Sequence, residues 1–164
     1  MIPSQSLDTP LWAFALAVYG GDGVADECLD LQERLGLDVN ILLLAAYLGA
    51  VEDVRLDVSD IAAANAEVVH WQAHIVRPLR HVRRTLKPMH AEGLRAQVKA
   101  TELEAEKIEL AMLWQWSRQH LANRPRGDRA LAANLHAVLE FYGTADPADA
   151  ALPRLLAAAT AYRP

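Results

Sequence analysis

Apolar residues recur along most of this chain at spacings of three and four, which is the period of one face of an α-helix. Thr9 before Pro10 predicts a helix start, because a side-chain cap is followed by a proline that loses no hydrogen bond there. Glycines at positions 20, 21 and 23 predict a turn, and a second helix follows over residues 24–35. Asp38 then caps a third helix, VNILLLAAYLGA, which has no polar face and is expected to be buried on most sides.

A fourth predicted helix begins near Ser59 or Asp60 and carries Pro78 inside its apolar repeat. Proline removes the hydrogen bond to the carbonyl four residues earlier, so we expect helix four to be kinked at Pro78. The apolar stripe continues across the proline, which predicts that both halves pack on one core. The stripe consists of Ala64, Val68, Trp71, Ile75, Leu79, Val82 and Leu86.

The longest predicted helix covers residues 91–119 and is apolar on two opposed faces, which is typical of a helix with neighbours on both sides. Two shorter helices are predicted at 128–142 and 153–162, separated by the break GTADPADAALP. Sustained strand alternation is missing from the sequence. We therefore predict an all-α, compact single-domain bundle of six to seven helices, with a helical core domain at 1–124 and a C-terminal helical hairpin at 125–164 packed on it.

The composition of the chain mainly argues against certain classes of protein. The chain is 52% hydrophobic and 23% charged, as in ordinary globular domains, and its formal charge of −5 argues against nucleic-acid binding. Cys28 is the only cysteine, which excludes an intrachain disulfide and fits a reducing compartment. The N-terminus lacks the pattern of a signal peptide, and the longest apolar run, 41–51, is too short for a transmembrane segment. We expect a soluble, cytoplasmic protein.

Positive charge is concentrated in residues 70–87, HWQAHIVRPLRHVRRTLK, and no acidic residue occurs between positions 68 and 91. On a helical projection most of these cations lie away from the apolar stripe, and Arg83 lies at its border. Like charges at helical spacing repel each other, so we expect negative groups to compensate them.

Two sources of that negative charge remain open. The next helix carries carboxylates that can form structural ion pairs with the arginines: Glu102, Glu106 and Glu109. The other source is an anionic ligand, such as a phosphate-containing small molecule, or an acidic protein partner. The residues predicted to bind it, with an aromatic ring as an apolar wall, are Arg80, Arg83, Arg84, Lys87 and Trp71.

A metal site is an alternative interpretation of the same region. Glu67 and His70 have the Glu-x-x-His spacing of di-iron bundles, and Glu102 and Glu106 could supply carboxylates from another helix. However, the sequence has no second motif of this kind and no catalytic signature. It therefore favours a non-enzymatic binding or adaptor protein without a cofactor over a carboxylate–histidine metalloenzyme. A purely structural subunit, dimeric through its apolar first helix, is a third possibility.

Several segments of the first two-thirds of the chain resemble a family of small proteobacterial helical proteins classified as a domain of unknown function. They stand in the order Trp12-x-Phe14, Gly23-Val24-x-x-x-Cys28-Leu29-x-Leu31-Gln32, Gly36-x-Asp38-Val39-Asn40-x-Leu42-Leu43, Trp71, Pro78-Leu79-Arg80-x-x-Arg83-Arg84-x-Leu86-Lys87 and Glu102-Leu103-x-Ala105-Glu106. The resemblance covers residues 9–110 and implies a bacterial, cytoplasmic protein without an established reaction. Its signature polar residues, Gln32, Asp38 and Asn40, imply a shared polar site with the arginines if helices two, three and four converge.

Overall fold

The computed structural model describes residues 6–143 and 152–164, in which it places eight α-helices. A π-helical turn, Gln72–Val76, joins two of them without a break, so these residues form seven helical rods. The all-α bundle predicted from the sequence is therefore confirmed. Most of the predicted break after residue 142, and the first five residues, lie outside the described ranges. The helices are α1 (Pro10–Tyr19), α2 (Val24–Leu35), α3 (Val39–Ala50), α4 (Val58–Trp71), α5 (Arg77–Leu86), α6 (Glu92–His120), α7 (Ala130–Phe141) and α8 (Pro153–Ala161).

Side-chain caps fix where three of the helices begin. The Thr9 hydroxyl accepts the backbone N–H of Trp12 at 3.1 Å, and a carboxylate oxygen of Asp38 accepts that of Asn40 at 2.9 Å. Helix α4 begins with a capping box between Asp57 and Asp60, slightly earlier than the sequence suggested. These caps satisfy free N–H groups in the first turns of α1, α3 and α4.

Helix α3 lies at the centre of the bundle, and ten of its twelve residues are buried. It packs against α1, α6, α7 and α8, and all of these helices contribute to one apolar core. The C-terminal segment, predicted to be a helical hairpin packed on the core, supplies Leu135, Val138 and Leu155 to that core. In the described part of the chain no helix is both long and apolar enough to cross a membrane.

The contact between α3 and α7 is unusually close. A Cβ atom built on Gly49 would lie 2.5 Å from the Cα of Leu131, so only glycine allows this approach. Nearby, the buried Asn134 amide donates to the carbonyls of Ala45 and Val54 at 3.1 and 2.9 Å, and its oxygen accepts the N–H of Leu56 at 2.7 Å. Asn134 thus satisfies backbone groups of an irregular segment that would otherwise be buried without partners.

The irregularity expected at Pro78 takes the form of the π-helical turn just before it. In this turn the N–H of Arg77 bonds the carbonyl of Gln72, five residues back. The wider turn shifts the following helix in phase, by about 100° for each added residue. As a result Ile75 and Val82, predicted to be in the core, are 36% and 44% exposed.

The residues turned inward instead are Gln72, Val76 and, beyond them, Arg80 and Arg83. Helix α5 has no buried residue, and the buried positions of α6 begin only at Glu102. Helix α5 therefore lies along the outer half of α6, and its half-buried residues are two arginines, Arg80 and Arg83, together with Leu79 and Leu86.

Candidate functional site

Arg80 is the centre of a polar cluster that links α5 with α6 and α2. Its guanidinium donates to Glu102 at 3.1 Å, to Glu106 at 2.7 Å and to the side-chain oxygen of Gln32 at 2.9 Å. Arg83 donates twice to Glu102, once at 3.2 Å. The side chains of Arg80 and Glu102 are only 18% and 6% exposed. These pairs are therefore screened little by water and orient α5 on α6.

The two carboxylates of this cluster are in different electrostatic states. Burial opposes ionisation of Glu102, but the hydrogen bonds from Arg83 and Arg80 outweigh it and lower the pKa of this carboxyl. Burial raises the pKa of Glu106, because Arg80 alone compensates it only in part. Glu106 is therefore the less well neutralised of the two.

A second polar cluster lies deeper and is built around Gln72. The side-chain nitrogen of Gln72 donates to Asp38 at 3.0 Å and to both oxygens of Glu109, at 3.1 and 3.2 Å. The Asn40 side chain also hydrogen-bonds Glu109. Glu109, predicted to belong to the ion-pair row, thus meets amides and the Asp38 carboxyl, because it lies one turn further into the bundle than Glu106.

Glu109 is fully buried and carries a proton at neutral pH. Burial, followed by the charge of Asp38 and a hydrogen bond to that carboxyl, raises the pKa of Glu109 to about 10. A neutral Glu109 avoids the repulsion that a second negative charge beside Asp38 would cause.

A cavity of about 620 Å³ opens beside these clusters, between α1, α2, α3 and α6. One wall is polar and includes Gln32, Asp38, Gln72, Arg80 and Glu106. The remaining walls are mainly apolar and aromatic, and three exposed leucines form the rim. The principal apolar lining residues are Trp12, Tyr19, Val39, Leu43 and Leu110, with Leu16, Leu29 and Leu103 at the rim.

A smaller cavity, of about 200 Å³, lies on the other side of the polar wall. Gln32, Asp38, Gln72 and Arg80 line both cavities. The helices that carry the three signature polar residues and the arginines therefore do converge on one region. Gln32 comes from the end of α2, Asp38 from the cap of α3, and Arg80 from α5.

The other residues of the predicted anion site lie apart from this region. Arg84 is exposed and its guanidinium is 3.5 Å from Glu33, and Lys87 is exposed beyond it. The Trp71 indole N–H donates to the carbonyl of Ala105 at 2.9 Å, which fixes its ring against α6 rather than beside the cations. The five predicted residues do not surround one point: Arg80 and Arg83 face the carboxylates of α6, whereas Arg84 and Lys87 lie further along the chain and are exposed.

The alternative metal site is not assembled, and that expectation is corrected here. Glu67 and His70 are exposed on α4, whereas Glu102 and Glu106 are engaged by Arg80. Over residues 6–143 and 152–164, no three or more His, Cys, Asp and Glu side chains are grouped so that they could hold a metal ion.

Cys28 is completely buried, and burial raises the pKa of its thiol to about 12, so it stays protonated.

Sequence reasoning missed two kinds of residue in this region. Gln72 follows the buried Ala64 and Val68 at intervals of four, so a regular helix already places it on the buried face; this signal was overlooked because Gln72 is polar. The aromatic wall had a detectable signal, since Trp12 and Tyr19 are seven residues apart and share one face of α1. Lys99, also on the cavity lining, lies in a polar stretch that gave no signal.

Comparison with known proteins gives one match. A family model described as "Protein of unknown function (DUF2390)" matches residues 10–113, which span α1 to most of α6 and include every polar residue of the two clusters. A search of curated proteins and a search of solved structures each gave no match.

Proposed function

The chain belongs to the family described as "Protein of unknown function (DUF2390)", and from its geometry we propose that it is a non-enzymatic protein that binds a small amphipathic molecule in the larger cavity. The observation that carries this proposal is the cavity of about 620 Å³ itself. Its volume and its mainly apolar lining with a few convergent polar groups are typical of small-molecule sites. The apolar walls suit the body of a ligand, and the polar wall suits its head group.

The sequence pointed to an external anion, and the ion pairs argue against Arg80 and Arg83 as its ligands. Both guanidinium groups are already engaged by Glu102, and Arg80 is also engaged by Glu106. An incoming anion would have to displace these partly buried carboxylates and leave them unpaired, which costs several kcal/mol. The arginines therefore shape the polar wall and do not provide a free anion clamp.

An acidic protein partner on α5 is the second candidate. Arg84 on this helix and Lys87 just after its end are exposed and accessible to carboxylates of another molecule. Exposed ion pairs contribute about 0–1 kcal/mol each, so two cations supply little binding energy without an apolar contact beside them. The cavity offers far more apolar surface, which makes it the favoured site.

A neutral solvatochromic dye tests the cavity proposal directly. Nile red titrated into the protein should show saturable, blue-shifted fluorescence. Ala25 lines the cavity from α2, so Ala25→Phe should fill part of the cavity and weaken dye binding about tenfold or more. The matched control is Ala62→Phe, because Ala62 is exposed on α4 and does not line either cavity.

Circular dichroism and thermal unfolding of both variants establish that the fold is retained. Equal dye binding by wild type and Ala25→Phe would contradict the proposal, because the dye would then sit elsewhere. A complete lack of saturable binding by wild type would also contradict it.

A further inference from the structure

The charges on the polar wall do not cancel. Two guanidinium groups, of Arg80 and Arg83, balance two carboxylates, those of Glu102 and Glu106. Asp38 adds one more carboxylate, whereas burial and the charge of Asp38 keep Glu109 neutral. The ion pairs of the wall therefore leave an excess of one negative charge in a buried setting, where it is costly unless something positive approaches.

Hydrogen-bond acceptors are also in excess on this wall. Gln72 is 7% exposed and lines both cavities. Its side-chain nitrogen donates to Asp38 and Glu109. Its side-chain oxygen, Oε1, has no hydrogen-bond partner. The three nitrogen contacts fix which end of the amide is the oxygen. Buried polar atoms without a partner are rare in folded proteins and often mark the place of a missing ligand or water.

Glu106 supplies the second acceptor. Arg80 engages its Oε1, and its Oε2 has no hydrogen bond from any described residue. Across the cavity, the rings of Trp12 and Tyr19 form part of the apolar wall. The Lys107 ammonium already lies 5.2 Å from the Trp12 ring centroid, so Tyr19 is the ring without a cation of this chain over it among the described residues. The cations Lys99 and Arg77 also line the cavities, but both side chains are exposed, so water screens them.

We infer that the ligand of the larger cavity is a primary amine with an apolar tail, whose ammonium group donates hydrogen bonds to Glu106 and Gln72. This inference rests on the proposed function, because it assigns a head group to the molecule that the cavity would hold. A neutral alcohol could use only part of the acceptor surplus. A carboxylate would meet the incompletely compensated carboxylate of Glu106, while the further cation on the lining of this cavity, Lys99, is exposed to water.

Isothermal titration calorimetry with octylamine, octanol and octanoate tests the head group at constant tail length. Octylamine should bind at least about tenfold more tightly than octanol, because charge-assisted hydrogen bonds are roughly twice as strong as neutral ones. Octanoate should bind most weakly of the three.

The variant Glu106→Gln tests the acceptor. It should weaken octylamine binding about tenfold and octanol binding much less, since a hydroxyl can still bond the amide oxygen and the volume of the cavity is preserved. Glu104→Gln is the matched control, because Glu104 is exposed on α6 two residues away and does not line the cavity. Octanol binding that is largely retained by Glu106→Gln also shows that its cavity is intact.

The outcomes separate the inference from the proposed function. Equal binding of all three compounds, or tighter binding of octanoate, would overturn the amine assignment and leave the cavity as an apolar binding site. Loss of octylamine affinity in Glu104→Gln to the same extent as in Glu106→Gln would also overturn it. Binding of none of the three, together with no response to Nile red, would overturn the amine assignment and the proposed function together.

Discussion

Helices α3 and α5 pack on the same long helix, α6, yet different forces hold them there. Nearly all of α3 is buried in an apolar core, and no residue of α5 is. Helix α3 is fixed by apolar packing, against core residues of α6 such as Leu110 and Leu113 and, on another side, by the close approach of Gly49 to Leu131 of α7. Helix α5 is held mainly by charge, through Arg80 and Arg83 on the carboxylates of α6.

The difference explains why the candidate site lies where it does. Apolar side chains pack closely, so a helix held by them has neither cavities nor polar groups at its contact surface. A helix held by ion pairs has hydrogen-bond acceptors at its contact surface and cavities between the long charged side chains. Both cavities share one polar wall. Its residues come from the end of α2, the cap of α3, the π-helical turn and α5. Substitutions in the two helices should therefore affect stability in different ways and by different amounts.

The largest effect is expected at Gly49. Gly49→Ala would place a methyl group 2.5 Å from the Leu131 backbone, which cannot move without shifting α7. We expect the free energy of unfolding to fall by about 3 kcal/mol, at the upper end of overpacking effects, with a Tm lower by about 6–12 °C. Gly93→Ala is the control: a Cβ atom added at Gly93 would have no neighbouring atom within 4 Å, so this change should be neutral or slightly stabilising. Similar results for the two variants would show that α3 and α7 do not meet so closely.

The next largest effect is expected at Arg80. Arg80→Ala leaves Glu102 with one cation and Glu106 with none, in a site where burial already opposes ionisation of both. We expect a loss of about 2–3 kcal/mol in urea unfolding, somewhat below the range for fully buried pairs. The loss should shrink at acidic pH, because protonated carboxyls need no counterion. A loss that stays constant as the pH falls would mean that Arg80 acts mainly through packing.

The sequence predicts the burial of α3 but not which side of α5 faces the bundle, and the π-helical turn is the main reason. The apolar run of α3, the caps Thr9 and Asp38 and the all-α bundle follow from periodicity and local chemistry. The inner face of α5 does not follow from them, because a regular helix turns Val82 inward and the π-helical turn turns Arg83 inward instead.

The candidate site was predictable only in part for a related reason. The charge pattern alone suggested that the arginines would meet Glu102 and Glu106, and the structure places Arg80 between them. The role of Gln72 and the cavity itself depend on the relative positions of α1, α2, α3 and α6. Such positions are set by tertiary packing, which the periodicity of a single helix does not encode.

A smaller effect, of opposite sign, is expected at Glu109. Its pKa is near its ordinary value of 4.5 in the unfolded chain and about 10 in the folded protein, so the folded state binds the proton more tightly. Stability of the wild type should therefore fall as the pH rises from about 4.5 towards 10. Glu109→Gln keeps a neutral group of similar shape and removes this penalty. We expect a net gain of about 1 kcal/mol at neutral pH, because losing the hydrogen bond between the Glu109 carboxyl and Asp38 offsets most of the relieved penalty, and a larger gain at higher pH, measured by urea unfolding at several pH values. A gain that does not increase with pH would contradict a protonated Glu109.

The smallest effect is expected at Arg84, and it sharpens the comparison because Arg84 differs from Arg80 mainly in exposure. Arg84 lies one turn further along α5 and its guanidinium is 3.5 Å from Glu33, with both side chains more than half exposed. Arg84→Ala should change the free energy of unfolding by no more than about 0.5 kcal/mol, and added salt should remove even that difference. The measurement is urea unfolding at low and high salt, beside Arg80→Ala. If Arg84→Ala were as destabilising as Arg80→Ala, the position of α5 would depend on its total charge. If only Arg80→Ala is destabilising, the position of α5 depends on the few cations that the π-helical turn directs towards α6.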